Sequence, residues 1–390
     1  MKKFGRLLAA MLALCTPIFS AAQQQSPVQV VALAELSGGG TIAGTNFKNG
    51  VELGFKEINA AGGILDRQIE VVSFDTQTNP EMAKTLAQKA ADMGAYAVMG
   101  PVFSDSTIVS MQETQRAEIP NFTGSEADEI TMQGNPYVFR TSLAQSMAMP
   151  KLARYIKDSV RAKSVALVWV NNEFGRGGRD AMTKALQEQG IKVAADISTD
   201  PQQVDFASVV SQVQQSNADA VFVYLTEEES AHCLQELHKQ GYGKPIIGET
   251  TLLGQQVIEL AGEAANGVLG HISLTSDALR PTIRDFDNKF IKEYNYKSDH
   301  NGMKGYIAAY VLKAVTEKVG EFDSKAFAEA MKGVSLSAEE YPGILLDVQY
   351  DDKGDLDRES FIVRVSGGRH QFIATLPPLA DSSAEAPAQQ

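Results

Sequence analysis

Apolar and polar positions alternate along the chain in two rhythms. Residues 28–36 are an apolar, β-rich run, followed by a glycine-rich loop over 37–44. Residues 49–61 place Val51, Phe55 and Ile58 on one face of a helix, and Ala61-Gly62-Gly63 stops it. A strand over 69–74 follows. Asn79-Pro80-Glu81 then opens a helix, with Asn79 as N-cap and Pro80 in the first turn. Residues 95–99 read as a strand closing on Gly100-Pro101, residues 104–117 as a helix, and 119–123 as a short strand. Such alternation of strand and helix predicts a parallel sheet covered on both faces.

The rhythm restarts after Thr141. Helices are predicted over 145–158, 177–189, 206–216 and 230–240, and strands over 164–170, 192–197, 220–225 and 245–247. This is a second doubly wound unit of similar size. A strand over 267–273 follows, then helices over 282–293, 302–317 and 324–331, and one or two late strands within 348–365. The last residues, 379–390, read as a disordered tail, low in complexity from Ser382 onward. The fold class is therefore α/β, with two doubly wound parallel-sheet lobes. Open α/β sheets bind ligands beyond the carboxyl ends of their strands. The loops to watch are 37–44, 100–105, 123–126, 171–175, 226–228 and 249–251.

The first residues change the picture of where the chain works. Lys2, Lys3 and Arg6 precede an apolar run over 7–14, and Ser20-Ala21-Ala22 follows. That order is a secretory signal over 1–22, cut before Gln23. The run is too short to span a bilayer, which takes about 20 residues. Cys15 after Leu12-Ala13-Leu14 offers a lipoprotein reading, but Leu14 is bulky where a small residue is needed. Losing the three leader cations and no anion takes the formal charge from -13 to -16. That surface argues against nucleic acid and anionic lipid as partners. Only Cys233 then remains, so no internal disulfide supports the fold.

Chemical motifs are sparse. Gly38-Gly39-Gly40-Thr41-Ile42-Ala43 satisfies the G-x-G-x-x-A dinucleotide pattern, but three consecutive glycines do so by chance, and a flexible loop is the better reading. There is no phosphate-binding G-x-x-x-x-G-K-[ST] and no G-x-S-x-G nucleophile elbow. His232 and His238 lie six apart, on different sides of a helix, so with Cys233 they read as surface helix residues rather than metal ligands. Glu227-Glu228-Glu229 reads as a solvated loop whose first residue follows a strand end. Trp169 reads as core. Phe103, Phe122 and Phe174 sit at strand ends, where either core or pocket lining is open to them. Ser104 stands between a strand end and a helix, where its hydroxyl and nearby N–H groups converge as a carboxylate would require; an ordinary N-cap is the plain alternative.

With these residues assembled, the chain resembles the leucine/isoleucine/valine-binding protein family of type I periplasmic binding proteins. The residues that carry the resemblance are Asn49 to Leu53, Glu57-Ile58-Asn59-Ala60-Ala61-Gly62-Gly63-Ile64, Asp75, Gly100-Pro101, Ser104-Asp105-Ser106-Thr107, Phe174-Gly175-Arg176-Gly177 and Asp205-Phe206. The resemblance implies two lobes joined by three hinge crossovers, expected near 140–143, 271–274 and 336–343. Lobe 1 would then hold 26–141 and 274–336, and lobe 2 would hold 142–271 and 343–378. It also implies a periplasmic monomer that captures a small ligand, docks on an ABC transporter permease, uses no cofactor or metal, and does no chemistry.

Site residues carry over one by one. Ser104 matches the serine that holds the ligand carboxylate. The family loop S-P-x-A-T, whose Thr contacts the ligand ammonium, is here Thr123-Gly124-Ser125-Glu126-Ala127, one residue short, with Glu126 at or near the Thr position. Phe174 retains an aromatic. Thr226, followed by Glu227, replaces a tyrosine, and Glu249 or Thr250 stands where an acid meets the ammonium. The expected ligand set is Ser104, Phe103, Thr123, Ser125, Glu126, Phe174, Thr226 and Glu249. Its acids imply a ligand more polar or more cationic than leucine, carrying a carboxylate and an amine or amide. A binding protein for another small carboxylate or amide, and a sensory binding protein without transport, stay open. An exported enzyme would need a nucleophile–base pair or a metal cluster, and the sequence offers neither.

Overall fold

The computed structural model describes residues 26–379. The leader, Cys15 and the tail from 380 onward lie outside them. The first sheet is built from β1 (Val28–Ala34), β2 (Ile69–Asp75), β3 (Ala97–Met99), β4 (Asn121–Thr123) and β5 (Val138–Arg140), in the order β2-β1-β3-β4-β5. All its pairings are parallel. Helices α1 (Thr41–Ala60), α2 (Pro80–Asp92), α3 (Ser104–Arg116) and the short α4 (Glu129–Met132) connect these strands. Strand β5 and helix α4 were not expected, because three-residue and four-residue elements carry too little periodicity to read.

The second sheet takes its parallel strands from β6 (Ser164–Val170), β7 (Lys192–Thr199), β8 (Ala220–Tyr224), β9 (Ile246–Gly248) and β10 (Leu269–Ile272). Helix α5 (Gln145–Tyr155) leads into β6, and α6 (Glu173–Glu188), α7 (Ala207–Gln215), α8 (Glu227–Lys239) and α9 (Gln255–Ala261) run between the strands. The chain then forms α10 (Pro281–Tyr294), α11 (His300–Val319) and α12 (Ser324–Met331). A small antiparallel sheet follows, of β11 (Ser335–Leu336), β12 (Val348–Tyr350) and β13 (Leu356–Asp357). Finally β14 (Ser360–Ser366) and β15 (Arg369–Leu376) add to the second sheet antiparallel to β10 and to each other, giving the order β15-β14-β10-β9-β8-β6-β7.

Several helices begin earlier than the hydrophobic pattern indicates, and their caps explain why. Asn172 accepts the Gly175 amide at 2.8 Å, so α6 starts at Glu173 rather than at 177. Thr226 and Glu229 form a reciprocal capping box, so α8 starts at Glu227 rather than at 230. Glu227-Glu228-Glu229 is therefore a helical first turn and not a solvated loop. Helix α1 also starts early, at Thr41 directly after the three glycines, but without a side-chain cap. Asn79 caps α2 through the Met82 amide, as its sequence indicates. Cys233 is buried rather than on a surface, and burial pushes its thiol up to about 12.

Two helices owe their contact to missing side chains. Helices α1 and α11 pack so closely that a Cβ on Gly50 would lie 1.9 Å from the Gly302 carbonyl oxygen. A Cβ on Gly305 would lie 2.1 Å from the Phe47 carbonyl oxygen. This contact draws the N-terminal half of α11 against the first lobe and sets the position of its polar residues.

The chain leaves the first sheet at Arg140 and begins α5 at Gln145. It leaves the second sheet at Ile272, and α10 packs back on α1. It returns to the second sheet at Ser360. Sequence reading put this third passage near 336–343. The intervening segment instead stays with the first lobe: the Gly354 carbonyl accepts the Arg140 amide at 3.0 Å, and the Tyr350 hydroxyl donates to the Arg140 carbonyl at 2.8 Å. Arg280 and Glu359 join the second and third passages by two parallel hydrogen bonds of 2.9 and 2.8 Å.

Candidate functional site

The strand ends of both sheets face a narrow cavity between the lobes. Phe103, Ser104, Gly124 and Glu126 line it from the first lobe, and Asn172, Phe174, Thr226, Glu227 and Thr251 from the second. His300, Asn301 and Lys304 complete it from α11. His300 and Lys304 lie one turn apart on α11 with Asn301 beside them, and Gly302 and Gly305 meet α1 on the adjoining side.

Ser104 is the first residue of α3 and not its cap; Phe103 holds the cap position without a side-chain bond. The Ser104 hydroxyl accepts the Ala127 amide at 3.3 Å, which leaves its own proton free to donate. The N–H groups expected to converge here are partly committed. Val102 and Phe103 donate to the Glu35 carboxylate at 3.3 and 3.1 Å. Glu35, unnoticed in the sequence, is wholly buried behind the first turn of α3, and burial pushes its carboxyl up to about 7.

Thr123 and Ser125 stand behind the cavity wall. Their hydroxyls bond to one another at 2.9 Å, to Thr107 and to the Pro101 and Val102 carbonyls, and they fix the loop that carries Glu126. Arg140 clamps the same loop. It is fully buried, donates to the Ser125 and Ala127 carbonyls at 2.9 and 2.6 Å, and is paired with Asp355.

Glu126 is 6% exposed and meets Lys304 Nζ at 2.9 Å. Lys304 also donates to the Gly124 carbonyl at 3.1 Å. Burial raises the Glu126 carboxyl, and Lys304 opposes that rise. From the other lobe the Tyr224 hydroxyl donates to Glu126 Oε2 at 3.3 Å and accepts from Gln145 at 2.9 Å. The Tyr224 ring stacks on Phe174, 4.2 Å between centroids. The aromatic expected near Thr226 is thus supplied from two residues earlier in the chain. Thr226 itself lines the cavity but spends its hydroxyl on Glu229 at 2.7 Å.

Glu249 lies deeper, 3.0 Å from His271 Nδ1. Burial takes this imidazole down to about 3, so it is a neutral donor and the contact is a hydrogen bond, not an ion pair. Burial also pushes Glu249 up to about 7, and its Oε2 has no partner among the described residues. Glu227 is 4% exposed; it accepts from Asn301 Nδ2 at 3.2 Å, across the lobes. Burial, followed by the charge of Asp299, pushes it up to about 7. Among the expected residues, Phe103, Ser104, Glu126, Phe174 and Thr226 line the cavity; Thr123, Ser125 and Glu249 support it. Glu227, Thr251, His300, Asn301 and Lys304 were outside the expected set. Glu227 and Thr251 fall in the strand-end loops 226–228 and 249–251, whereas for His300, Asn301 and Lys304 the one sequence signal is a run of polar residues opening a helix that is otherwise apolar.

The cleft offers hydroxyl, amide and carboxylate groups on both lobes, held by bonds that cross between them. A small polar ligand could be enclosed there, and closure would follow from bonds like that of Tyr224 with Glu126.

Comparison with known proteins agrees with the architecture. A family model described as periplasmic binding protein matches residues 27–369. The chain is 25% identical over 368 residues to a leucine-, isoleucine-, valine-, threonine- and alanine-binding protein of Pseudomonas aeruginosa, covering 93% of this chain and 95% of that one. Its fold matches a branched-chain amino acid transporter substrate-binding protein from Streptococcus pneumoniae, solved in complex with isoleucine, with a TM-score of 0.82 at 20% identity over 90% of this chain and 100% of that one. A solute-binding protein of an ABC transporter from R. palustris, solved with benzoate, matches with a TM-score of 0.83 at 21% identity, over 91% and 98% of the two chains. At these identities the solved structures establish the fold. With two doubly wound lobes, a cleft at their strand ends and a family match over almost the whole described chain, the chain belongs to the periplasmic binding protein family.

Proposed function

We propose that the protein is the solute-binding component of an ABC importer, a monomer exported to the periplasm by a cleaved leader and handing its ligand to a membrane permease without chemistry. The ligand is an amino acid or a close analogue. The observation that supports this reading most directly is the cavity shared by both lobes, with the Ser104 hydroxyl at the start of α3 and buried carboxylates opposite. A hydroxyl proton and a helix N-terminus favour a carboxylate. The Glu227 carboxylate, which lines the cavity while Glu126 is already paired with Lys304, favours an amine. An amino acid presents both.

The Phe174–Tyr224 stack supports a second reading, an aromatic carboxylate like the benzoate held by the R. palustris protein. The buried acids count against it, because such a ligand brings no cation.

The test is a thermal-shift screen of the chain from Gln23, unfolded and refolded to strip carried ligand, against amino acids, amides, polyamines and aromatic acids. At a hundred times its dissociation constant a ligand adds about 2.7 kcal/mol of stability. A shift from an amino acid supports the reading. A shift confined to aromatic acids replaces it with the second, and silence across the panel removes both.

A further inference from the structure

One end of the cavity carries more hydrogen-bonding capacity than the protein satisfies. Thr251 Oγ1, Asn301 Oδ1 and both ring nitrogens of His300 have no hydrogen-bond partner among the described residues. All three side chains are more than nine-tenths buried, and all line the cavity. Orientation at Asn301 is fixed by its neighbour. Asn301 Nδ2 donates to Glu227 Oε1 at 3.2 Å and to Asp299 Oδ2 at 3.5 Å, which turns Oδ1 away from both. Asn301 Oδ1 is therefore an acceptor in want of a donor. Glu227, at the same end, is a buried carboxylate with no ion pair among the described residues, and the nearby Lys304 ammonium is committed to Glu126 and to the Gly124 carbonyl. A buried charge of this kind is costly unless something pairs with it. An aliphatic side chain placed here would leave every one of these groups unmet.

Resting on the binding-protein reading above, we propose that the ligand is a basic amino acid, with its side-chain cation held by Glu227 and hydrogen-bonded by Asn301 and Thr251 at the α11 end of the cavity. Its carboxylate lies at the Ser104 end. A ligand of this kind differs from the branched-chain amino acids named for the relatives, and its recognition would rest on residues 227, 251 and 301 rather than on the carboxylate end. The raised carboxyl of Glu227 accords with a group that lacks its cation. His300, which burial keeps neutral, supplies shape and one further hydrogen bond without opposing the cation.

The experiment is calorimetric titration of the refolded chain from Gln23 with L-arginine, L-lysine, L-ornithine, L-glutamine and L-leucine. At least one basic amino acid should bind on the order of tenfold or more tighter than leucine, the scale of one hydrogen bond to a charged group. Glu227→Gln should erase most of that advantage, and Thr251→Val should reduce it. Leucine or glutamine binding tighter than every basic amino acid overturns the proposal while leaving the amino-acid reading intact. No binding by any of the five overturns the proposal, and the amino-acid reading falls with it only if the wider thermal-shift panel is silent too. The wild-type ranking decides the matter even if Glu227→Gln fails to fold. A folded Glu227→Gln that weakens leucine and arginine alike also sinks the assignment.

Discussion

Lys304 Nζ on α11 lies 2.9 Å from Glu126 Oε1 in the loop after β4, and each side chain is almost wholly buried. The pair joins two segments 178 residues apart in the chain. Removing one partner of a buried pair leaves an uncompensated charge, at a cost of about 3–5 kcal/mol. Lys304→Met should therefore destabilise by about that amount in urea denaturation. Glu126→Gln added to it should restore a large part. A single-variant loss below about 1 kcal/mol would mean that water reaches the pair.

Arg140 should be equally intolerant. Its guanidinium satisfies the Ser125 and Ala127 carbonyls and the Thr131 hydroxyl, and pairs with Asp355. Arg140→Met strands those acceptors and frees the loop carrying Glu126. A stability loss of about 3 kcal/mol or more is expected, with weaker ligand binding. Arg140→Lys should recover little, because an ammonium cannot reproduce the planar fork. Full recovery by Lys, measured by denaturation midpoint, would show that charge alone matters there.

How far these features were readable from sequence depends on their range. The alternation of strand and helix, the Asn79 cap and the strand-end loops are local, and their positions follow from periodicity and capping chemistry. The T-x-x-E box at Thr226 and Glu229 is equally local, but a run of three acids also fits a solvated loop. Lys304 is different. Nothing within its own helix indicates that Glu126 will face it; that depends on Gly50 and Gly305 letting α1 and α11 approach. Tyr224 was hidden for a similar reason. It lies within a strand that reads as uniformly apolar, and only the sheet's position sends its hydroxyl across the cleft to Glu126. Glu35, directly after β1, is seen as a site residue only once α3 is placed over it.

Ser104→Ala tests the carboxylate end. The change removes a hydroxyl proton and leaves the Ala127 amide without its acceptor. Affinity for the ligand should fall about tenfold or more, the scale of one hydrogen bond to a charged group, while stability falls by about 1 kcal/mol. The two effects are separable by titration and by denaturation of the same variant. Unchanged affinity would place the ligand carboxylate elsewhere.

Glu227 should give the protein without ligand a pH dependence opposite to that of an ordinary surface acid. Its carboxyl rises from 4.5 to about 7 on folding, chiefly through burial. Between those values the folded state binds more protons than the unfolded one, so this group's contribution to stability falls as pH rises. The buried histidines His271 and His300 act with the opposite sign, because their folded values are lowered and the unfolded chain takes up their protons first. A direct stability profile therefore mixes both. The difference between wild type and Glu227→Gln isolates this carboxyl together with its coupling to Asp299. Measured by urea denaturation, Gln should gain on the wild type as pH rises from 4.5 to 7, by at most about 3 kcal/mol, and the difference should level off above that range. A cationic ligand reverses the trend in the wild type, since it pairs with the ionised form; with it bound, the wild type should gain on Gln over the same interval. A wild type that gains on Gln without ligand as pH rises would show that Glu227 is paired or solvated in the folded protein, contrary to its burial.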